Sequence, residues 1–251
     1  MENYAINTVQ LTKKFNKTTA VNNLNLKISH GEIFAFLGPN GAGKTTTIKL
    51  LGCLLKPTSG NIFICGFETT KNPIQIKKII GIVPDHPFIY PKLKGIEFLQ
   101  LVANIYKVDS EEQKKLIPEL IEKLEMSDFI NDLIETYSLG MRQKLIILSV
   151  LLHNPKVLLL DEPLVGLDPK SSRIIKNIFV ELSKKGVTLF ISTHFLALAE
   201  ELAHRIGIIN KGELIALGTK EELREIAKKE GNLEEVYLEL TKEQELCSYS
   251  E

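Results

Sequence analysis

The feature that most restricts the fold of this chain is a glycine-rich segment that joins a predicted strand to a predicted helix. Residues Glu32 to Leu37 form an almost unbroken apolar run, which is typical of a strand covered on both faces. The next six residues, Gly38 to Gly43, contain three glycines and favour a tight loop. A helix is predicted from Lys44 to about Leu54, before Pro57. This order indicates an α/β protein that binds its ligand at the carboxyl ends of its strands.

The loop also carries a phosphate-binding motif. Gly38, Gly43, Lys44 and Thr45 satisfy the pattern G-x-x-x-x-G-K-[ST] between a strand and a helix, which is the context that the motif requires. Glycines let successive N–H groups point at phosphate oxygens, the lysine supplies a positive charge for the β- and γ-phosphates, and the hydroxyl ligates Mg²⁺. We expect the whole segment to bind the nucleotide: Gly38, Pro39, Asn40, Gly41, Ala42, Gly43, Lys44, Thr45 and Thr46.

Two other interpretations of the loop compete with this one. The first is a glycine-rich turn followed by an incidental lysine, which the flanking strand and helix disfavour. The second is a dinucleotide-binding loop with the pattern G-x-G-x-x-G. Gly41 and Gly43 would then need a third glycine at position 46, which is Thr46, so that pattern is not met.

Two acidic residues stand at the end of a second apolar strand. Val157 to Leu160 is followed directly by Asp161, Glu162 and Pro163. Because the carboxyl ends of parallel strands share one edge of a sheet, we expect Asp161 to lie beside the phosphate loop and to hold Mg²⁺ through water. Glu162 is then placed to polarise the water that attacks the γ-phosphate. The competing interpretation is a polar turn closed by Pro163.

A histidine follows a third apolar strand. His194 comes after the run Thr188 to Ile191 and the pair Ser192-Thr193. A lone histidine is more often structural than functional, but the end of a strand that faces the same crevice favours a catalytic role. The remaining histidines are interpreted as structural: His30, His86, His153 and His204.

Charge and composition exclude several classes of protein. The 31 Lys and Arg residues balance the 31 Asp and Glu residues, so we expect no nucleic-acid partner. The longest apolar runs, such as Leu145 to Leu152, are far shorter than the ~18 residues needed to cross a bilayer. The first ten residues lack the pattern of a secretory signal. Three scattered cysteines indicate neither a disulfide framework nor a metal site, so we expect a soluble protein of a reducing compartment.

The order of the predicted elements indicates an α/β fold with an insertion. Alternating apolar residues in Asn23 to Ser29 predict a strand in the N-terminal third. Residues 88–140 begin in a proline-rich loop and then show helical spacing of apolar residues, which predicts an inserted helical block. Beyond Lys228 the periodicity is weak, and we assign the tail no function. Between these segments the alternation predicts a helix near 141–153, strand Val157 to Leu160, a helix near 170–184, strand Val187 to Ser192, a helix near 195–204 and strand Arg205 to Asn210.

In this fixed order, the motifs resemble those of the ATP-binding subunit of an ABC transporter, over roughly residues 4–225. Tyr137-Ser138-Leu139-Gly140-Met141 occupies the place of the family signature, usually Leu-Ser-Gly-Gly-Gln. The resemblance implies that Ser138 and Gly140 contact ATP held by a second chain. Val165 to Asp168 corresponds to the family's D-loop. Phe15 corresponds to the aromatic residue that stacks on adenine, and His194 to the histidine that contacts the γ-phosphate.

The resemblance also implies an architecture. It is a P-loop NTPase fold with a mostly parallel core sheet, an N-terminal antiparallel β subdomain and an inserted α-helical subdomain. We expect a single ATPase domain over residues 1–225, with the core and β subdomain in 1–87 and 141–225, the helical subdomain in 88–140 and a tail in 226–251.

The resemblance further implies ATP hydrolysis with Mg²⁺ in a head-to-tail pair of ATP-binding chains, identical or different. The pair powers a separate integral membrane permease, so the chain is expected peripherally on the cytoplasmic face of the membrane. We expect docking through the proline-rich loop, with Phe88, Tyr90 and Leu93, and through the neighbouring helices; core packing is the alternative for these side chains. The details of the motifs are most similar to bacterial efflux subunits that export antibiotics, peptides or other small molecules.

Two positions depart from the family pattern. Asp85 aligns with a glutamine that senses Mg²⁺; a carboxylate ligates the ion but donates no hydrogen bond. Leu139 replaces the first glycine of the signature, which is costly if that position needs a positive φ and tolerated if it does not. Two alternatives to a transporter subunit therefore stay open. One is a soluble ABC ATPase without a transport role, and the other is an ATP-binding regulatory module with little turnover.

Overall fold

The computed structural model describes residues 4–227 and 233–247, without the side chains of 242–247. Its strands are β1 (Ile6–Phe15), β2 (Thr18–Ile28), β3 (Ile33–Leu37), β4 (Ser59–Ile64), β5 (Phe67–Glu68), β6 (Ile80–Val83), β7 (Val157–Asp161), β8 (Thr188–Thr193), β9 (Arg205–Asn210) and β10 (Glu213–Gly218). Its helices are α1 (Lys44–Leu51), α2 (Pro73–Ile79), α3 (Gly95–Ile105), α4 (Ser110–Lys123), α5 (Leu139–Leu151), α6 (Pro169–Lys184), α7 (Leu196–Leu202), α8 (Lys220–Ile226) and α9 (Leu233–Cys247).

The strands form two sheets. A four-stranded antiparallel sheet has the order β2-β1-β4-β5, and a six-stranded sheet has the order β10-β9-β3-β8-β7-β6. In the second sheet only β10 is antiparallel to its neighbour. Every residue of β3, β7 and β8 is buried, because both faces of this sheet are covered. The α/β fold class with a parallel core sheet and an antiparallel β subdomain is therefore confirmed.

The predicted helical block lies between β6 and β7. It contains α3, α4 and a 3₁₀ turn at Ile134–Thr136. Helix α4 begins after Asp109, whose carboxylate accepts hydrogen bonds from the N–H groups of Glu111 and Glu112. Side chains of the block such as Phe98 and Leu99 share one hydrophobic cluster with Leu145 of α5, so the block packs against the core through this helix. The division into subdomains stays a prediction.

Several elements differ from the predicted bounds. Strand β2 begins at Thr18 rather than Asn23, and α1 ends at Leu51, because Gly52 follows it. The tail with weak periodicity contains α9, whose Leu233, Val236 and Leu240 are buried. Only one face of α9 is buried, so the helix contains few apolar residues and its sequence pattern is weak. No helix in the two described ranges is both long and apolar enough to cross a membrane.

A half-buried histidine lies at the contact between the helical block and the core. The His153 ring stacks on Tyr106, which follows α3, with ring centroids 3.8 Å apart. Its Nε2 lies 2.9 Å from the carbonyl oxygen of Ile80 at the start of β6. Because a carbonyl only accepts, Nε2 carries the proton and Nδ1 does not. Nδ1 is buried and has no hydrogen-bond partner among the described residues.

We expect this histidine to make the fold less stable in weak acid. Burial lowers the pKa of His153, against the opposing hydrogen bond to Ile80. Below the unfolded pKa of ~6.5 the unfolded chain binds a proton that the folded chain does not, so stability falls as the pH drops through this range. The Tm should fall more steeply between pH 7 and 5.5 for the wild type than for His153→Gln. His30→Gln, at an exposed position, is the control and should follow the wild type; equal slopes for all three would contradict the expectation.

Candidate nucleotide-binding site

The phosphate loop joins β3 to the first turn of α1 and depends on its glycines. Gly43 has φ = 111°, a conformation that other residues rarely adopt. A Cβ atom on Gly43 would lie 2.3 Å from the carbonyl oxygen of Ala20, and one on Gly38 would lie 2.3 Å from that of Ile209. Any side chain at either position would therefore displace the neighbouring backbone. The glycines let the loop lie directly against β2 and β9.

Lys44 lies inside the loop. Its Nζ donates hydrogen bonds to the carbonyl oxygens of Gly38, at 2.7 Å, and Pro39, at 3.1 Å. Burial lowers the pKa of Lys44, and the nearby charges of Glu162, Asp161 and Asp85 oppose that shift. The ammonium group is thus held at the centre of an otherwise acidic site, where phosphate oxygens are able to replace its backbone partners.

Asp161 ends β7 beside this loop, as predicted. Its Oδ2 accepts a hydrogen bond from the Thr45 hydroxyl at 2.7 Å, and its Oδ1 accepts one from the Ser192 hydroxyl. Asp161 and Ser192 lie opposite each other in the parallel ladder of β7 and β8. The carboxylate is buried, and two hydroxyl donors fix its direction.

Glu162 follows Asp161, and its carboxylate is held by Thr193, the last residue of β8, and by His194, which follows β8. Its Oε2 accepts from the Thr193 hydroxyl at 2.9 Å. Its Oε1 accepts from the backbone N–H of His194 at 3.0 Å and lies 2.7 Å from Nδ1 of the same residue. The backbone of Glu162 is left-handed, with φ = 49°. The structure therefore places the predicted base and the predicted histidine in direct contact.

Asp85 lines the cavity beside the loop, together with Asp161 and Glu162. Its Oδ2 lies 2.8 Å from Nδ1 of the exposed His86 ring. The cavity beside the loop is lined by Pro39, Asn40, Gly41, Lys44, Thr45, Thr46, Asp85, Asp161 and Glu162. All nine are predicted site residues, drawn from three separate segments of the chain.

Phe15 and the signature residues lie outside this cavity. Phe15 ends β1 with a half-exposed ring, and Nζ of Lys13 lies 5.0 Å from the ring centroid. Ser138 precedes α5, and its hydroxyl accepts a hydrogen bond from the N–H of Met141 at 3.2 Å. Neither Phe15 nor Ser138 is among the residues that line the cavity described above.

The structure shows that position 139, where the family usually has glycine, does not need a positive φ. Leu139 is the first residue of α5 and has no positive φ, so it fits without backbone strain. Its side chain packs on Gly166, where φ is 78° and a Cβ atom would lie 2.6 Å from the Leu139 side chain. A Cβ atom on Gly140 would lie 2.7 Å from the Gly166 carbonyl oxygen. The signature and the segment that corresponds to the D-loop are therefore in direct contact.

Three polar residues of the site were not singled out from the sequence. Ser192 and Thr193 hold the two carboxylates, and the buried Gln143 of α5 donates to the carbonyl oxygen of Pro163 at 3.0 Å. Ser192 and Thr193 could have been predicted from the sequence, because they are two adjacent hydroxyl residues at the end of an apolar strand. Gln143 gave none, because it lies in an apolar helix far along the chain from Pro163.

The oxygen donors around the loop fit Mg²⁺. This ion prefers oxygen ligands and is usually held by one or two carboxylates together with substrate phosphates. Thr45, Asp161 and Asp85 offer a hydroxyl and two carboxylates at one edge of the sheet. Within residues 4–227 and 233–247 no group of three or more His, Cys, Asp or Glu side chains is placed to hold a metal alone. These three side chains therefore fit a Mg²⁺ ion whose remaining ligands come from the nucleotide phosphates.

Comparison with known proteins decides the family. The sequence model described as "ABC transporter" matches residues 21–165, which is more than half of the chain and includes the phosphate loop and Asp161. The chain belongs to the ABC transporter family. Its ATP-binding domain is an ATPase domain that acts on ATP with Mg²⁺, and family membership implies a partner ATP-binding chain and a membrane permease.

Individual relatives of this ABC transporter subunit agree with the assignment. The bacitracin transport ATP-binding protein BcrA of Bacillus licheniformis is 40% identical over 211 residues, which are 84% of this chain and 68% of BcrA. The linearmycin resistance ATP-binding protein LnrL of Bacillus subtilis is 38% identical over 213 residues, 85% of this chain and 68% of LnrL. The dimeric ATP-binding cassette MJ0796, solved in a post-hydrolysis state with ADP and Pi, has a TM-score of 0.79 at 28% identity and covers 85% of this chain and 98% of that one.

Proposed function

We propose that this chain hydrolyses ATP in a dimer in order to drive an efflux permease, and that its site residues divide the work as follows. The loop amides and Lys44 bind the β- and γ-phosphates, and the Phe15 ring stacks on the adenine. Thr45, Asp161 and Asp85 hold Mg²⁺, which supplies charge neutralisation to the phosphates when bound. Ser138 and Gly140 meet the γ-phosphate held by the partner chain. The arrangement of Lys44, Asp161 and Glu162 around one cavity is the observation that carries this proposal.

Glu162 is the proposed general base, and His194 the proposed sensor of the γ-phosphate. Glu162 is buried at the edge of the cavity, and the His194 side chain that contacts it is 45% exposed, so we infer that its ring turns from Glu162 toward the γ-phosphate when ATP binds. Positioning and charge neutralisation dominate phosphoryl transfer, so a fixed carboxylate that orients water is sufficient as a base. Closure of the dimer follows from ATP that bridges the two chains, and opening follows from loss of the γ-phosphate contacts.

The proposed cargo is an antibiotic, a peptide or another small molecule. This rests on BcrA and LnrL, which are named for bacitracin transport and linearmycin resistance, and on the similarity of this chain to both. The proposed location is peripheral, on the cytoplasmic face of the membrane, where the permease would hold the chain. Recovery from detergent-solubilised membranes together with an integral membrane protein tests this. Recovery only from the soluble fraction would favour the ABC ATPase without a transport role.

The proposed docking surface for the permease is the proline-rich loop before α3. Phe88 is 86% exposed and Tyr90 52% exposed, with their rings in edge contact at a centroid distance of 6.0 Å. Leu93 is partly buried against the core, so core packing accounts for this residue and not for the two aromatic ones. Exposed aromatic pairs of this kind are typical of protein contact sites.

Substitution of both exposed rings is expected to release the permease. Phe88→Ser with Tyr90→Ser should weaken the complex by about 2 kcal/mol or more, or roughly 30-fold in Kd, because aromatic anchors dominate such interfaces. The measurement is the amount of membrane protein retained by the tagged chain in mild detergent, with ATPase turnover of the isolated chain recorded in parallel. Ile74→Ser, at a residue that is 68% exposed on α2, is the matched control. Unchanged retention in the double variant would place the docking surface elsewhere.

A further inference from the structure

Thr193 is the last residue of β8 and is fully buried. Since Asp161 and Ser192 are paired in the ladder, Thr193 stands one step further along, next to Glu162. Its hydroxyl lies 2.9 Å from Oε2 of Glu162. The pairing of β7 with β8 thus brings this hydroxyl to the proposed base without any contribution from a flexible loop.

The direction of the Thr193 proton is determined by its neighbours. Its oxygen accepts a hydrogen bond from the backbone N–H of Phe195 at 3.0 Å. The Glu162 carboxylate only accepts when ionised, so the single hydroxyl proton of Thr193 is directed at Oε2. The β-branched side chain also restricts rotation about χ1, which keeps the oxygen in place.

The two oxygens of Glu162 are held differently. Oε1 contacts the backbone N–H and the ring of His194, whereas Oε2 is bound by Thr193. The His194 ring is half-exposed and would leave Oε1 when it turns toward a phosphate. One donor on each oxygen then remains, the N–H of His194 on Oε1 and the Thr193 hydroxyl on Oε2. Two donors on different oxygens are enough to fix the plane of a carboxylate.

The backbone of Glu162 has an uncommon conformation, so this residue depends on the hydrogen bonds that hold it. A left-handed φ of 49° is uncommon for a residue other than glycine and persists where its surroundings determine it. The N–H of Glu162 is bonded to the carbonyl oxygen of Ser192 at 2.9 Å, so strand β8 holds both the backbone and the side chain of this residue.

We propose that Thr193 is a positioning residue that holds the Glu162 carboxylate in the orientation needed to direct the attacking water. The inference rests on the proposed role of Glu162 as the base. It assigns no contact between Thr193 and ATP. Loss of the hydroxyl therefore slows the chemical step and leaves nucleotide binding intact.

The test compares Thr193→Val, which keeps the shape but removes the hydroxyl, with Thr193→Ser, which keeps the hydroxyl. For the valine variant we expect kcat to fall roughly 10- to 100-fold, because small misplacements of a catalytic group have effects of this size, while KM and the Kd for ATP stay within about twofold. The serine variant should restore kcat to within about threefold of the wild type. Slower hydrolysis should also make the ATP-bound dimer of the valine variant persist longer on gel filtration.

The outcomes separate this inference from the proposed function. Normal turnover in Thr193→Val, with turnover lost in Glu162→Gln, would overturn the inference alone. Equal losses in the valine and serine variants, with a raised KM, would show that Thr193 is only a packing residue. Normal turnover in Glu162→Gln would remove the basis of both proposals. If the valine variant does not fold, Thr193→Ala is compared with Thr193→Ser in the same assays.

Discussion

Glu162→Gln is expected to remove at least ~99% of ATP turnover while ATP binding is retained. The amide has the size of the carboxylate but accepts no proton, so it does not serve as a general base. The amide oxygen still accepts from the His194 N–H, and the amide NH2 donates to the Thr193 hydroxyl oxygen, so the group keeps its place and loses only its basicity.

Turnover is measured as phosphate release at saturating Mg·ATP, and ATP affinity by calorimetry. Because opening of the dimer follows hydrolysis, Glu162→Gln should accumulate an ATP-dependent dimer on gel filtration that the wild type shows only transiently. Glu119→Gln, at an exposed position on α4, makes the same chemical change away from the site and should behave as the wild type. Turnover in Glu162→Gln within a few-fold of the wild type would show that another group is the base.

The parts of the site that could be predicted from the sequence are those in which local chemistry leaves few options. The loop has a positive φ at position 43, which favours glycine, and Lys44 follows directly after the apolar strand β3 and this loop. One contiguous segment therefore predicts both the loop and the phosphate ligand that it binds. Asp161 and Glu162 end a fully apolar strand, and the common edge of a parallel sheet brings them to the loop. Here short-range pattern and long-range topology point to the same place.

The remaining contacts depend on packing between distant segments. Nothing near Leu139 in the sequence shows that its side chain covers Gly166 or that α5 begins at this residue. The contact of His153 with Tyr106 joins two elements that are separated by most of the helical block. Helix α9 has a weak sequence pattern because only a narrow face of it is buried. Such contacts are set by tertiary structure, on which local propensity carries little information.

Lys44→Ala is expected to act on binding as well as on turnover, with a loss of about two to three orders of magnitude in kcat/KM or no measurable ATP binding at all. The ammonium group lies between the loop carbonyls and three carboxylates. Without it, triphosphate oxygens enter a cavity lined by Asp85, Asp161 and Glu162 with no side-chain cation facing them from the loop. The uncompensated repulsion destabilises both the bound ATP and the transition state, so Kd should rise and kcat should fall.

Calorimetric titration of Mg·ATP and phosphate release together check this expectation. Lys49→Ala is the matched control, because Lys49 is exposed on the same helix α1, one turn further on. Loss of ATP binding in Lys44→Ala and retention of binding in Glu162→Gln would separate the residue that holds the triphosphate from the residue that promotes its cleavage. If Lys44→Ala bound ATP as tightly as the wild type and hydrolysed it within a few-fold of the normal rate, the loop would not be the phosphate site. The proposed roles of Thr45, Asp161 and Glu162, which depend on a γ-phosphate lying beside Lys44, would then fail with it.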